Sequence, residues 1–214
     1  MRLLLARHGA TRNNAEGRYT GQSDIPLSSL GERQAEALAA RLVSARLDAI
    51  VSSDLLRARA TAERIARHHS LPIQLDPDLR EIALGAWEDS TYEEVLAREP
   101  EHVARWRTDP LTVAPPGGET VLAFRDRLVQ ALDRWQAAHP DATLLWVTHG
   151  GCIGVLLCHL LGMDLTRRWQ LRRDNAGLTE VALESGAALL LRLNDTAHLV
   201  DLAGEEQAER SQVL

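Results

Sequence analysis

Two short apolar runs end in a histidine followed by a glycine: Leu3-Leu4-Leu5-Ala6-Arg7-His8-Gly9 and Leu144-Leu145-Trp146-Val147-Thr148-His149-Gly150. Imidazole is a competent nucleophile near neutral pH, because much of it is unprotonated, and it can carry a phosphoryl group covalently. Such an intermediate splits one difficult displacement into two. The phosphoryl group in flight needs cationic donors on its equatorial oxygens. The sequence holds no metal motif and no Lys. Arg7, Arg57 and a protonated His149 are therefore the candidate donors. A leaving alkoxide needs a proton, which a carboxylic acid can give, and Glu81 is the candidate. Glycine after each histidine lets the backbone turn sharply and come close to a ligand.

Composition narrows the chemistry further. All 24 basic residues of the 214-residue chain are Arg. A phosphate-loop nucleotidase needs a Lys on its phosphates, and a Schiff-base enzyme needs a Lys amine. Both classes are excluded, and phosphatases with an Asp nucleophile, which usually carry a Lys, are disfavoured. Asp76-Pro77-Asp78 imitates their Asp-x-Asp signature but reads as a turn, since Arg80 stands where a hydroxyl residue is expected. Arg is always charged, and its planar fork matches phosphate oxygens, so an Arg-only chain can still bind phosphate. A net charge of −6 argues against nucleic-acid and membrane-surface partners and requires that any phosphate site be a local basic pocket. Cys152 and Cys158 have neither redox nor zinc spacing and read as core residues. Outside His8 and His149 the histidines show no ligand spacing. The first residues are too short for a signal peptide and no apolar run is long enough for a membrane span, so a cytoplasmic protein is expected.

Hydrophobic content of 45% with 25% charged residues suits a globular core, and 4% aromatics means a core of Leu, Ala, Val and Ile, favouring stacked helices over sheet. The runs Leu3–Ala6 and Thr143–Thr148 read as buried strands, the second covered on both faces. Ser29 and Glu32 form a capping-box pattern for a helix from about Leu30 to Ala45. Ala49–Ser53 reads as a strand, and Asp54 as the cap of a helix carrying Arg57, Arg59, Ala62 and Ile65. Ile73–Leu75 is a short strand candidate. Two short helices are expected near Tyr92–Glu99 and Glu101–Arg107, before a Pro115-Pro116-Gly117-Gly118 break. A long helix starts at Thr120 and ends by Pro140; another runs from about Cys152 to Leu161. Gly177–Leu183 and Ala187–Leu193 read as hairpin strands closing a sheet edge. The carboxyl ends of strands in an open α/β sheet form the ligand crevice, where two strand-end histidines can face one pocket. Trp106, between Arg105 and Arg107, reads equally well as a packed ring and is not counted in the site.

At the level of whole segments, the chain resembles the histidine phosphatase superfamily in its phosphoglycerate-mutase-like branch. The segments are Arg7–Asn14, Gly17–Gly21, Asp24–Ser28, Ser52–Ala58, Leu79–Ile82, Gly85–Glu88, Gly117–Glu119 and Thr148–Gly150, in the family's order along nearly the whole chain. The resemblance implies a three-layer α/β/α sandwich on a mostly parallel mixed sheet with a small helical cap over about 85–119. It implies one domain over 1–203, and the polar stretch 204–214 reads as a disordered tail. It also implies a phosphohistidine at His8 in a pocket of Arg7, Arg57 and His149 assisted by Asn14, with Glu81 as proton donor and Thr20, Gly21 and Gly150 at the substrate. No cofactor or metal is expected; the partner is a small phosphorylated metabolite, and a homodimer is compatible with the family. Ala10 and Asp89 depart from the residues common at those positions. The short segment after Tyr19 favours a phosphatase over a mutase. Trp169, Asp174–Ala176 and Leu193–Leu199 resemble bacterial α-ribazole phosphatases and metal-independent phosphoserine phosphatases.

Overall fold

The computed structural model describes residues 1–184, 186–202 and Gly204. The tail expected over 204–214 lies, beyond Gly204, outside the described residues. The apolar runs form strands at the centre of a six-stranded sheet: β1 (Arg2–Arg7), β2 (Ala49–Ser52), β3 (Ile73–Leu75), β4 (Thr143–Thr148), β5 (Leu178–Glu184) and β6 (Ala187–Asp195), in the order β3-β2-β4-β1-β5-β6. β1, β2, β3 and β4 run parallel, while β5 pairs antiparallel with β1 and β6 with β5. Few aromatics therefore did not keep the sheet small: Leu, Ile and Val fill a strand covered on both faces equally well.

Successive side chains on a strand point to opposite faces, and here each face is covered by helices. Leu3, Leu5, Leu144 and Trp146 pack with Phe124, Leu128 and Leu132 of α6 (Val121–Ala138) and with Cys152, Ile153 and Leu156 of α7 (Gly150–Leu160). Leu4, Ala6, Leu145 and Val147 pack with Leu38, Ala39 and Leu42 of α2 (Ser29–Leu42) and with Ala58, Ala62 and Ile65 of α3 (Leu56–Ala66). The result is the expected three-layer arrangement. Between β3 and α6, Trp87 gathers Val95 of α4 (Tyr92–Arg98), Val103 and Trp106 of α5 (Pro100–Thr108), and Tyr19 into a small separate cluster.

Two helix starts differ from expectation for identifiable reasons. α2 is capped by Ser28, whose hydroxyl accepts the Gly31 N–H at 3.1 Å, because the Ser28 N–H is tied to the Ala10 carbonyl and fixes where the helix begins. It ends at Leu42 rather than Ala45. Asp54 does not cap α3. Its carboxylate is engaged by Arg80 at 2.7 and 2.5 Å, and the Leu56 N–H is accepted instead by Asp24 at 2.7 Å. Those Arg80 hydrogen bonds also lower the Asp54 pKa. A one-turn helix, α1 (Arg12–Ala15), was not visible in the periodicity. It is held by reciprocal bonds between Thr11 and Asn14, with Asn standing where a capping box more often has Glu or Gln.

Gly9 is required by packing, not by approach to a ligand. A Cβ there would strike the Gly31 carbonyl, and one on Gly31 would strike the Ala10 carbonyl. The first turn of α2 thus presses directly on the loop that carries His8. Gly→Ala in a helix ordinarily stabilises by about 1 kcal/mol. Gly31→Ala is expected to do the opposite, costing about 1–3 kcal/mol from overpacking. A rise in urea midpoint would show that the contact is not tight.

Candidate active site

β1 and β4 are hydrogen-bonded neighbours in register, Arg7 opposite Thr148, so the residues after them emerge side by side. The His8 and His149 rings meet edge to face with centroids 5.1 Å apart. His8 Nδ1 lies 2.7 Å from the Gly9 carbonyl, which can only accept, so that nitrogen carries the proton and Nε2 keeps its lone pair. Arg57 Nε donates to this Nε2 at 3.3 Å. Burial, then the charges of Arg57 and Arg7, hold the His8 pKa well below its ordinary value. The imidazole is neutral in the tautomer that exposes Nε2.

Arg57 is almost wholly buried and is fixed by the carbonyls of Ser23 (2.8 Å) and Gly21 (2.7 Å). Gly21 adopts φ +51° and leaves no room for a side chain beside Glu88. Glu88 in turn binds the Gln22 and Leu84 N–H groups and the Ser23 hydroxyl. Arg7 is half-buried, its pKa lowered to about 10 by desolvation, which Glu81 partly opposes. Its Nη1 donates to the Arg173 carbonyl at 2.6 Å, and its Nε would lie 3.4 Å from a Cβ on Gly150. Glu81 hangs at the start of α7, accepting the Gly151 N–H at 2.9 Å and its neighbour Ile82's N–H at 2.9 Å. Its segment is anchored by Arg127, which donates to the carbonyls of Asp78 and Arg80 and to Glu119. Glu119 is the acid of the Gly117-Gly118-Glu119 segment.

These groups line one cavity of about 470 Å³. Arg7, His8, Asn14, Thr20, Gly21, Arg57, Glu81 and Gly150 all reach its wall. His149 does not; it stands behind His8, fully buried. Burial, then the charges of Arg57, His8 and Arg7, push its pKa well down. Its Nε2 lies 2.9 Å from the Ser53 hydroxyl, and Nδ1 is buried with no partner among the described residues.

Sequence reasoning missed several contributors. Asn175 donates to the His8 carbonyl and to Asn14 Oδ1, both at 3.1 Å, and so ties the nucleophile loop to α1. Its presence in a family-like segment was the one available signal. Trp106, set aside on the sequence, lines the cavity, as do Arg168, Trp169 and Arg173. Asp89, one of the two departures from the family pattern, sits at φ +61°, where glycine would be unstrained. Its carboxylate binds Asn13 at 2.7 Å and Ser23 at 3.1 Å, which offsets that cost.

The two buried imidazoles also make stability depend on pH. Below about 6.5 the unfolded chain protonates both while the folded chain does not, so stability rises with pH through that window and is lost as pH falls. The slope is about 1.4 kcal/mol per pH unit per histidine. His149→Asn should reduce the slope of urea-derived stability between pH 7 and 5 by about that amount. An unchanged slope would mean that His149 takes up a proton in the folded chain.

The model of the histidine phosphatase superfamily (branch 1) matches residues 3–196. The chain belongs to that superfamily. This histidine phosphatase is 35% identical over 199 residues to phosphoserine phosphatase 1 of Hydrogenobacter thermophilus, covering 93% of this chain and 94% of the relative. It is 41% identical over 171 residues to a glucosyl-3-phosphoglycerate phosphatase of Mycolicibacterium vanbaalenii, covering 77% and 76%. It superposes on the α-ribazole phosphatase of Shigella flexneri with a TM-score of 0.86 at 30% identity, covering 91% and 96%. The fold is that of the superfamily, and the activity class is phosphoric monoester hydrolase. Among the described residues, no helix is long and apolar enough to cross a membrane.

Proposed function

We propose that this histidine phosphatase hydrolyses a small phosphorylated metabolite through a phosphohistidine on His8 Nε2, without a metal ion. The observation that carries the reading is the Nδ1 contact to the Gly9 carbonyl, which leaves Nε2 unprotonated beside the Arg57 guanidinium. Arg57 and Arg7 clamp the transferring oxygens. Ser53 Oγ accepts the Leu55 N–H and can turn its own proton toward His149 Nε2, which puts the His149 ring proton on Nδ1, the nitrogen with no partner among the described residues. Glu81 protonates the leaving oxygen and then deprotonates the water that opens the phosphoenzyme. Asn14, Thr20, Gly21 and Gly150 shape the substrate side of the pocket.

The candidate substrates are α-ribazole 5′-phosphate and phosphoserine, with phosphoglycerate-mutase-type transfer as the alternative activity. We read residues 1–203 as one domain acting in the cytoplasm, with 85–119 as its substrate-facing cap. A mutase must shield its phosphoenzyme from water while the intermediate reorients, and the short segment after Tyr19 gives little to close over the site. The test is phosphate release from a panel including phosphoserine, α-ribazole phosphate, sugar phosphates and 3-phosphoglycerate, with excess EDTA. Turnover of one compound, lost in His8→Ala, supports the reading. Labelled phosphate reappearing in an isomer with no net release would assign the mutase.

A further inference from the structure

The cavity wall carries more positive charge than one phosphate can answer. Five guanidinium groups line it, those of Arg7, Arg18, Arg57, Arg168 and Arg173, against the single carboxylate of Glu81. Arg18 is paired with Glu16 at 2.7 Å and Glu94 at 3.0 Å. Arg168 donates to the Leu165 carbonyl and packs 4.7 Å from the centre of the Trp169 ring. A phosphate dianion beside His8 engages Arg57 and Arg7. Arg173 remains. Among the described residues it has no carboxylate within ion-pairing distance, and its Nη1 is buried without a hydrogen-bond partner. Nη1 is closed off against Gly154, so an anion in the cavity would meet this unpaired, partly desolvated charge through the rest of the guanidinium.

Its position says what that anion belongs to. The Glu81 carboxylate rests on the Gly151 N–H, and the Arg173 guanidinium is wedged against Gly154, where any side chain would collide with it. These glycines are three apart on α7, so they share one helix face with a separation of about 5 Å. If Glu81 meets the leaving oxygen, Arg173 lies a few bonds further into the leaving alcohol. Trp169, its ring centre 5.6 Å from the guanidinium carbon, helps to fix the guanidinium there.

We propose that Arg173 is a specificity residue that reads a second anionic group, a carboxylate or a second phosphate, carried on the leaving alcohol close to the ester oxygen. The preferred substrates are then phosphomonoesters of small hydroxy acids or bisphosphates, in preference to esters of uncharged alcohols. This rests on the proposed orientation with the phosphate at His8 and the leaving oxygen at Glu81.

The test uses matched pairs. 3-Phosphoglycerate and glycerol 3-phosphate differ by a carboxylate in place of a hydroxymethyl group; propane-1,3-diol bisphosphate and monophosphate differ by the second phosphate. The full chain is expected to favour the anionic member of at least one pair by about ten-fold or more in kcat/KM, the pair identifying the group. Arg173→Gln should collapse that ratio toward one. Gly154→Ala, which keeps the charge but displaces the guanidinium, should lower it in the same direction. No preference in either pair overturns the proposal, and so does a loss in Arg173→Gln that is equal for both members, which would place Arg173 on the transferred phosphate. p-Nitrophenyl phosphate serves as the control for the underlying reading. If its hydrolysis is absent or survives His8→Ala, the phosphatase mechanism has failed rather than the assignment of Arg173.

Discussion

His8→Ala is expected to lower phosphate release by about 10⁴-fold or more while the protein stays folded, with a thermal midpoint close to that of the wild type. The size follows from removing the attacking atom itself. Among the described residues no other nucleophilic side chain lines the cavity in a comparable state: His149 stands behind His8, and the buried Cys152 thiol, whose pKa desolvation raises, faces the carbonyls of Leu79 and Arg80. The fold should persist because the strands before and after the site are held by their own apolar faces, not by the imidazole. Rapid quench with labelled substrate gives the decisive reading. A covalent phosphoenzyme stable to base and labile to acid should accumulate in the wild type and be absent from His8→Ala. Its presence in the variant would move the nucleophile elsewhere.

Glu81→Gln should separate substrates by their leaving groups. For an alkyl phosphate the departing oxygen needs a proton, and loss of a positioned acid costs about 10²–10⁴-fold. p-Nitrophenolate leaves with little need for protonation, so its ester should lose far less at the phosphorylation step. Gln can still accept the Gly151 N–H that Glu81 accepts at 2.9 Å but must give up the bond from the Ile82 N–H, a loss common to both esters, so the ratio between the esters isolates the proton. Equal losses on both esters would remove Glu81 from the role of acid and leave it as a support for α7.

The parts of the site that were legible are those encoded within a few residues. A strand buried on both faces reads as a continuous apolar run, and Arg7-His8-Gly9 and Thr148-His149-Gly150 follow directly on such runs. Arg57 falls in the first turn of a helix that the apolar positions of α3 reveal. The illegible parts involve partners far apart in the chain. Asp54 looks like a helix cap until Arg80 arrives to take its carboxylate, and Gly9 looks like a turn residue until the first turn of α2 is laid against it. Asn175 reaches back to the loop of His8, and Trp106, which reads equally well as a packed ring or a substrate contact, becomes both once α5 packs it against Trp87 at the cavity wall.

The sequence by itself marked the candidate nucleophile, its candidate arginine partners and carboxylate, and most of the strands and helices that carry them, because residue type and local periodicity encode those directly. The tertiary structure decided burial, and with it the direction of the pKa shifts and which arginines line the cavity. The His149 pKa is held down because burial, then the charges of Arg57, His8 and Arg7, make a further positive charge costly, and no local pattern records burial. Arg172 and Arg173 are adjacent and alike in sequence, yet Arg172 pairs with Asp174 while Arg173 turns inward against Gly154. Which of two adjacent arginines lines the cavity depends on the packing of α7 against the segment before β5, which becomes visible only when the chain is folded.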